Sequence, residues 1–248
     1  LVAERKQKDA LACLNSFASK TNNILVLMQI GAIHEGLKQY TEARNAYKMA
    51  LALNPDFVPA LNNLACLLAE HLNDLDQAAE LAQHARRLLP EDPFIADTCG
   101  WVRYRKGDYS GALPLILRSA ARLPDQPQGQ FHLGMSYYML GQEDLALNAL
   151  RSCAGSTGEF PEKDEAKQRL EILNMDAKEA SLNVLSKLEK QLSKDPDDPI
   201  LLDRIATLYE RQNGASDKVR AIYERILRKN INNIEATIKL ARLYAGTL

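Results

Sequence analysis

The sequence predicts an all-α fold, a solenoid of antiparallel helix pairs. Three observations lead to this class. First, the 248 residues are 46% hydrophobic but only 6% aromatic, with Ala and Leu abundant, and such chemistry favours helices. Second, small residues recur 34, 35 and 34 positions apart, at Gly31, Ala65, Gly100 and Gly134. Third, a series of alanines keeps nearly the same period and is followed by prolines: Ala43, Ala78, Ala112 and Ala146, then Pro55, Pro90 and Pro124. A fixed period near 34 residues is typical of stacked supersecondary units.

The first elements follow from this period. Residues 1–22 are predicted to hold the second helix of a preceding repeat, because residues 3–19 have helical spacing without a partner helix before them. The chain starts and stops within helical patterns, so we expect a piece of a longer protein. In the second repeat, residues 58–92, the turn "HLNDLD" carries one extra residue.

The third repeat shows the helix pair most clearly. Asp92 and Pro93 supply an N-cap and a first-turn proline, and apolar residues recur at helical spacing as far as Tyr104. The break "KGD" then separates this helix from a second one over residues 109–123. The small residue of the first helix and the alanine of the second lie twelve apart, so we expect two backbones in close approach.

The C-terminal part follows the period less closely. Residues 161–198 are predicted to form a degenerate or capping repeat, with helices over 161–175 and 178–194. Residues 199–248 are predicted to form a divergent repeat and a truncated final helix. A loop of small residues at 155–158 is interpreted as a hinge or a cap between two sub-arrays.

The pattern resembles the tetratricopeptide repeat (TPR) family. In that family a small residue in the first helix is followed by an aromatic three later, an alanine twelve later and a closing proline. Residues 23–160 match four such repeats in register, although His34 and Arg103 replace the aromatic and "GSTGEF" replaces the last proline. The resemblance implies a right-handed superhelix that is not an enzyme and that acts as a scaffold or adaptor for proteins, similar to bacterial TPR proteins.

No catalytic residues, cofactor site or metal ligands are predicted. Four cysteines lie far apart with no CxxC spacing, which argues against zinc or a disulfide framework and slightly favours the cytoplasm, with the bacterial periplasm as the alternative. Cys99 and Asp97 point to different sides of a helix, and no glycine-rich phosphate loop follows a strand. With 31 basic and 32 acidic residues, the balance indicates neither nucleic acid nor a membrane surface as the partner, and no apolar run is long enough to insert in a membrane.

The resemblance implies that the first helices of the repeats line a concave groove that holds a peptide or a partner helix. Side chains three before, one after, and four to five after each small residue face this groove, and they include Cys66, Glu70 and Glu35. The predicted partner-binding residues are Asn62, Asn63, Asp97, Trp101, Tyr104, Arg105, Phe131, Met135 and Tyr138. We expect Trp101 to be partly exposed. The alternative is that Trp101 and Tyr104 pack against neighbouring first helices and only line the groove.

Two alternative functions remain open from the sequence. The chain is the substrate-recruiting or regulatory region of a larger enzyme or of a bacterial export assembly, or it self-associates through its cut repeat ends. A dicarboxylate clamp for chaperone tails is not predicted, since among the corresponding positions only Asn63 matches.

Overall fold

The computed structural model describes residues 2–18, 20–157, 160–178, 181–212 and 216–246. Within these ranges it contains fourteen α-helices and no strand, which confirms the all-α class. The chain divides into two compact units, an N-terminal unit over residues 1–123 and a C-terminal unit over residues 124–248.

The N-terminal unit contains seven helices, each packed against the next along the chain. They are α1 Val2–Ala18, α2 Ile24–Gly36, α3 Tyr40–Leu53, α4 Val58–Leu67, α5 Leu75–Leu88, α6 Pro93–Arg105 and α7 Tyr109–Arg122. Its main core lies between α3, α4, α5 and α6, around buried Tyr47, Leu64 and Val102. Three of the helices end two residues before the prolines that the sequence uses as closing signals, at Leu53, Leu88 and Arg122.

The small residues of the period lie where two helices meet most closely. A Cβ built at these glycines meets the side chain sixteen residues on, and the pairs are Gly31–Tyr47 at 2.4 Å, Gly100–Ile116 at 2.5 Å and Gly134–Leu150 at 2.6 Å. At Gly100 it would also lie 3.2 Å from the carbonyl oxygen of Ala112. The alanines twelve positions after each of these glycines, and Ala78 thirteen positions after Ala65, are 0% exposed. The predicted close approach of the paired helices is therefore confirmed.

In each of the four repeats over residues 23–160, the turn after the first helix contains one residue with a left-handed backbone conformation. The residues are Lys38, Asn73, Gly107 and Gly141, with φ of 59°, 51°, 83° and 75°. They are again 34 or 35 residues apart. A left-handed residue at this position lets the chain reverse after the last helical turn, and glycine adopts it without steric cost.

The extra residue of the second repeat lies in a helix and not in the turn. Leu68–Leu72 continues α4 as a π-helix, and the backbone N–H of Asp74 closes this end by donating to the Leu68 carbonyl at 3.2 Å. A π-helical turn accommodates one more residue than an α-helical turn, so the following turn keeps the geometry of the other repeats. The prediction that the insertion lengthens the turn is wrong for this reason.

The C-terminal unit contains the other seven described helices. They are α8 Pro127–Met139, α9 Glu143–Ala154, α10 Lys163–Leu173, α11 Leu185–Leu192, α12 Pro199–Glu210, α13 Ser216–Lys229 and α14 Ile234–Tyr244. A core cluster around Leu202, Tyr223 and Ile226 holds α12, α13 and α14 together.

The degenerate repeat is less helical than predicted. In place of a helix over 178–194, a 3₁₀ turn at Leu182–Val184 precedes α11, which begins only at Leu185; residues 179 and 180 of the predicted helix lie outside the described residues. The loop at 155–158 follows α9 inside the C-terminal unit, and its residue 158 lies outside the described residues too.

Two glycines of α8 provide a matched test of the close approach. We expect Gly134→Ala to lower the free energy of unfolding by about 1–2 kcal/mol, because its Cβ would overlap Leu150 and overpacking outweighs the gain in helix propensity. We expect Gly129→Ala to raise it by up to about 1 kcal/mol, since the nearest atom to its Cβ lies 3.9 Å away. Urea unfolding followed by circular dichroism measures both. Equal stability of the two variants would contradict the proposed helix contact.

Candidate functional site

Six of the side chains that the sequence directs toward the groove lie on two neighbouring helices of the N-terminal unit. On α4 and its π-helical end they are four residues apart, and on α6 they follow the same helical spacing. These residues, called the polar strip below, are Asn62, Cys66, Glu70, Asp97, Trp101 and Arg105. Because residues four apart on a helix share a face, each helix presents its three side chains in one row.

Glu70 is the last residue of its row in the polar strip and lies in the π-helical segment. Its carboxylate accepts a hydrogen bond from the Trp101 indole Nε1–H and pairs with Arg105, whose Nη1 is 3.3 Å from Oε2. The Trp101 ring stacks on Tyr104, with ring centroids 4.3 Å apart and planes 7° from parallel. One carboxylate of the second repeat therefore fixes two side chains of the third.

Trp101 is only 7% exposed, so the prediction of a partly exposed indole is wrong. Stacking on Tyr104 covers one face of the ring, and the hydrogen bond to Glu70 satisfies its N–H. The alternative interpretation describes this structure, since Trp101 packs against the neighbouring first helix. Tyr104 and Arg105 remain half-buried.

The polar strip has a negative electrostatic environment. The Cys66 Sγ lies 3.2 Å from the Thr98 hydroxyl, and burial raises the pKa of the Cys66 thiol to about 12. The Thr98 hydroxyl lowers this pKa, and the carboxylates of Asp97, Glu70 and Glu35 raise it further. A thiol of this kind stays protonated at neutral pH, and therefore Cys66 is a poor nucleophile.

The two asparagines of the predicted site differ in their contacts. Asn63 opposes the rise in the pKa of Tyr47 that burial causes, and the Tyr47 hydroxyl donates to Glu35 at 2.8 Å. Asn62 is half-buried, and its Oδ1 is buried without a hydrogen bond from the described protein. Since buried carbonyl oxygens are almost always hydrogen-bonded, Asn62 offers an unused acceptor in the polar strip.

The three predicted residues on α8 are buried, and the expectation that they form part of an exposed strip is wrong. Phe131, Met135 and Tyr138 are 1%, 2% and 0% exposed. The Phe131 ring lies 6.3 Å from that of Phe160, which precedes α10. Other side chains of the protein therefore occupy the place where a partner was expected.

Tyr138 belongs to a buried ionic network. Its hydroxyl donates to Asp198 Oδ2 at 3.0 Å, and the same carboxylate pairs with Arg169 of α10. The Arg169 guanidinium lies over the Tyr138 ring, 5.1 Å from its centroid. Asp198 is 0% exposed and also caps α12 by accepting a hydrogen bond from the Leu201 N–H at 2.8 Å.

The pKa values in this network follow from burial. Burial raises the pKa of Asp198 and of Tyr138 above their usual ranges, and Arg169 opposes both shifts. A carboxylate in such a place depends on its cation and hydrogen bonds, since an unpaired buried charge is strongly unfavourable. The network thereby holds α8, α10 and α12 in contact.

Sequence reasoning missed the roles of Asp198 and Arg169. Asp198 with Pro199 repeats the Asp-Pro signature of the third repeat, so its capping role was readable. Its pairing with Tyr138, sixty residues earlier, has no local signal, and Arg169 lies in a helix that reads as an ordinary charged surface.

All four cysteines are free. Among the described residues, no three His, Cys, Asp or Glu side chains are placed to hold a metal ion together. A search of the same residues found no helix with the length and apolar character needed to cross a membrane.

Comparison with known proteins adds the family. Three tetratricopeptide repeat models match the chain, over residues 24–57, 46–80 and 100–156. The chain is similar to a TPR repeat-containing protein of Pseudomonas aeruginosa, with 33% identity over 123 residues, 42% of this chain and 21% of that protein. It thus spans about a fifth of this relative's length.

Two solved structures are also similar. The structure of the APC/C hetero-tetramer Cut9-Hcn1 matches with a TM-score of 0.57 and 17% identity, over 96% of this chain and 46% of that chain. A thermophilic TPR protein of Thermus thermophilus has a TM-score of 0.49 and 17% identity, over 90% of this chain and all of that one. The first likeness shows the fold alone. The repeat matches show that the chain carries tetratricopeptide repeats over residues 24–80 and 100–156.

Proposed function

We propose that this chain is a non-catalytic scaffold that holds a peptide or helical segment of a partner protein along the polar strip of its N-terminal unit. The observation that carries the proposal is the unused acceptor of Asn62, which lies in a row with half-buried polar side chains. Tetratricopeptide repeats typically bind proteins, and this supports a scaffold in general. We assign that function to the polar strip.

A partner backbone N–H is the natural complement of Asn62 Oδ1. Leaving a buried acceptor unpaired costs about 1–3 kcal/mol, and a hydrogen bond from a partner would remove that cost. Asn63 is at the position where family members often hold a peptide backbone, but the buried acceptor without a hydrogen bond belongs to Asn62. The neighbouring asparagine therefore takes that role in our proposal.

The charges of the polar strip favour a partner segment with basic or donor groups. The carboxylates of Glu35, Glu70 and Asp97 raise the pKa of the Cys66 thiol, and Arg105 is paired with Glu70. Trp101 contributes by holding Glu70 and Tyr104 in place and not by contacting the partner. The proposal concerns this region alone, since the chain spans about a fifth of its curated relative.

Substitution of Asn62 separates binding from folding. Peptides selected from a random phage-displayed library on the purified chain provide the probe. We expect Asn62→Ala to weaken their binding at least about tenfold, through loss of a buried hydrogen bond. The melting temperature stays the same or rises slightly, because the carbonyl oxygen has no hydrogen bond to lose within the described protein. Titration calorimetry and a thermal melt measure the two effects.

Asn45→Ala is the matched control, because Asn45 is an exposed asparagine on α3 outside the polar strip. It should change neither affinity nor melting. A library that yields no binding peptide, or equal affinities of the two alanine variants, would argue against the proposed strip.

A double-mutant cycle tests whether Trp101 stabilises the N-terminal unit through its hydrogen bond to Glu70. Trp101→Phe keeps an aromatic ring but removes the N–H that donates to Glu70, so we expect a loss of about 1–3 kcal/mol in the free energy of unfolding. In a Glu70→Ala background the same change should cost clearly less, because the acceptor is already gone. Chemical denaturation of the four proteins gives the coupling energy. Additive effects would mean that the Trp101–Glu70 contact does not stabilise the N-terminal unit.

A further inference from the structure

A cavity of 410 Å³ lies between α5, α6 and the turn that follows α6. Its floor is apolar and consists of Ala79, Ala82, Cys99 and Val102. Small alanines on α5 leave this space open. Volumes of roughly 300–1,000 Å³ are typical of sites for small ligands.

The rim of the cavity is basic. It carries Arg86, Arg103 and Lys106, with Asp108 as its acidic residue. The Asp108 carboxylate is used as the N-cap of α7, where it accepts a hydrogen bond from the Gly111 N–H at 2.9 Å. The rim thus has an excess of positive charge over an apolar floor.

The three cations differ in how far they are neutralised. Lys106 pairs with Asp76 at 2.7 Å, while the Arg103 guanidinium is 3.8 Å from Asp108. Arg86 is half-buried in the last turn of α5, and within the described residues no hydrogen bond or ion pair satisfies it. Partial burial of an unpaired guanidinium is unfavourable, so this group has capacity for an anion.

The position of the cavity separates it from the polar strip. On α6, Cys99, Val102, Arg103 and Lys106 follow helical spacing on one face. Trp101 and Arg105 lie on the opposite face, since each residue turns the helix by about 100°. The two sites therefore do not compete for the same side chains.

From this combination we infer that the cavity binds a carboxylate carried on a short aliphatic stem, with the carboxylate on Arg86 and Arg103 and the stem on the alanine and valine floor. Such a group occurs as a free carboxylic acid or as a glutamate side chain of a bound protein. The positive charge reaches the floor: burial raises the pKa of the Cys99 thiol, and Arg86 and Arg103 oppose that shift. Both guanidinium groups are therefore close to the place that the stem would occupy.

The test uses four small probes: butanoate, a glutamate capped at both ends as amides, inorganic phosphate and butylammonium. Each is titrated into the ¹⁵N-labelled chain, and the amide signals of Ala82, Cys99 and Val102 are followed. We expect saturable shifts with at least one of the two carboxylates, with affinity at least about tenfold higher than for phosphate. Butylammonium should cause none. Tighter binding of butanoate supports a free acid as the source, and tighter binding of the capped glutamate supports a protein side chain.

Arg86→Gln should weaken the better carboxylate at least about tenfold without changing the melting temperature, because this side chain has no partner in the described protein. Arg87→Gln is the matched control, because Arg87 is an exposed arginine of the same helix that does not line the cavity, and it should leave binding unchanged. If Arg86→Gln fails to fold, Arg103→Gln is expected to give the same loss. No saturable shift with either carboxylate, phosphate binding as tightly, or unchanged affinity in the arginine variant would overturn the inference.

Discussion

The close approach between the small residue of each first helix and the side chain sixteen positions on governs this structure. Where Gly31, Gly100 and Gly134 meet Tyr47, Ile116 and Leu150, there is no room for even one methyl group. This contact sets how the two helices of each repeat pack. The packed pair then determines which side chains of the first helix are free to contact the next repeat. The polar strip and the cavity on α6 are consequences, since they occupy the two faces of a helix whose rotation is set by Gly100.

The same repeat position has different surroundings in the two units. Tyr104 and Tyr138 both follow their small residue by four positions. Tyr104 is half-buried beside Trp101, whereas Tyr138 is 0% exposed and donates to Asp198. The difference comes from charges outside the repeat, because Arg169 and Asp198 close over Tyr138 from later helices. A position that offers contact area in one repeat is thereby part of the protein interior in another.

Much of the fold was readable from the sequence because its signals are local. The glycines, the alanines twelve residues later and the closing prolines each act within one helix pair, and the structure confirms them. Exposure was not readable in the same way. Periodicity predicts the side of the helix on which Trp101 or Tyr138 lies, but burial depends on the residues packed against that side. The partner of Trp101 is Glu70, 31 residues away in the sequence, and the partner of Tyr138 is Asp198, 60 residues away. The π-helix after α4 was missed for a related reason, since an extra residue fits a turn or a helix equally well in the sequence alone.

The central claim is that one repeat position is partly open at Tyr104 in the N-terminal unit and closed at Tyr138 in the C-terminal unit. Hydroxyl-radical footprinting with mass spectrometry measures this directly, because it reports the oxidation rate of each tyrosine in the folded chain. Tyr244, 65% exposed, serves as the reference for an accessible ring. We expect Tyr104 to be oxidised at an intermediate rate and Tyr138 to be protected until the protein is unfolded. Oxidation of Tyr138 in the folded chain at the rate of Tyr104 would contradict the account.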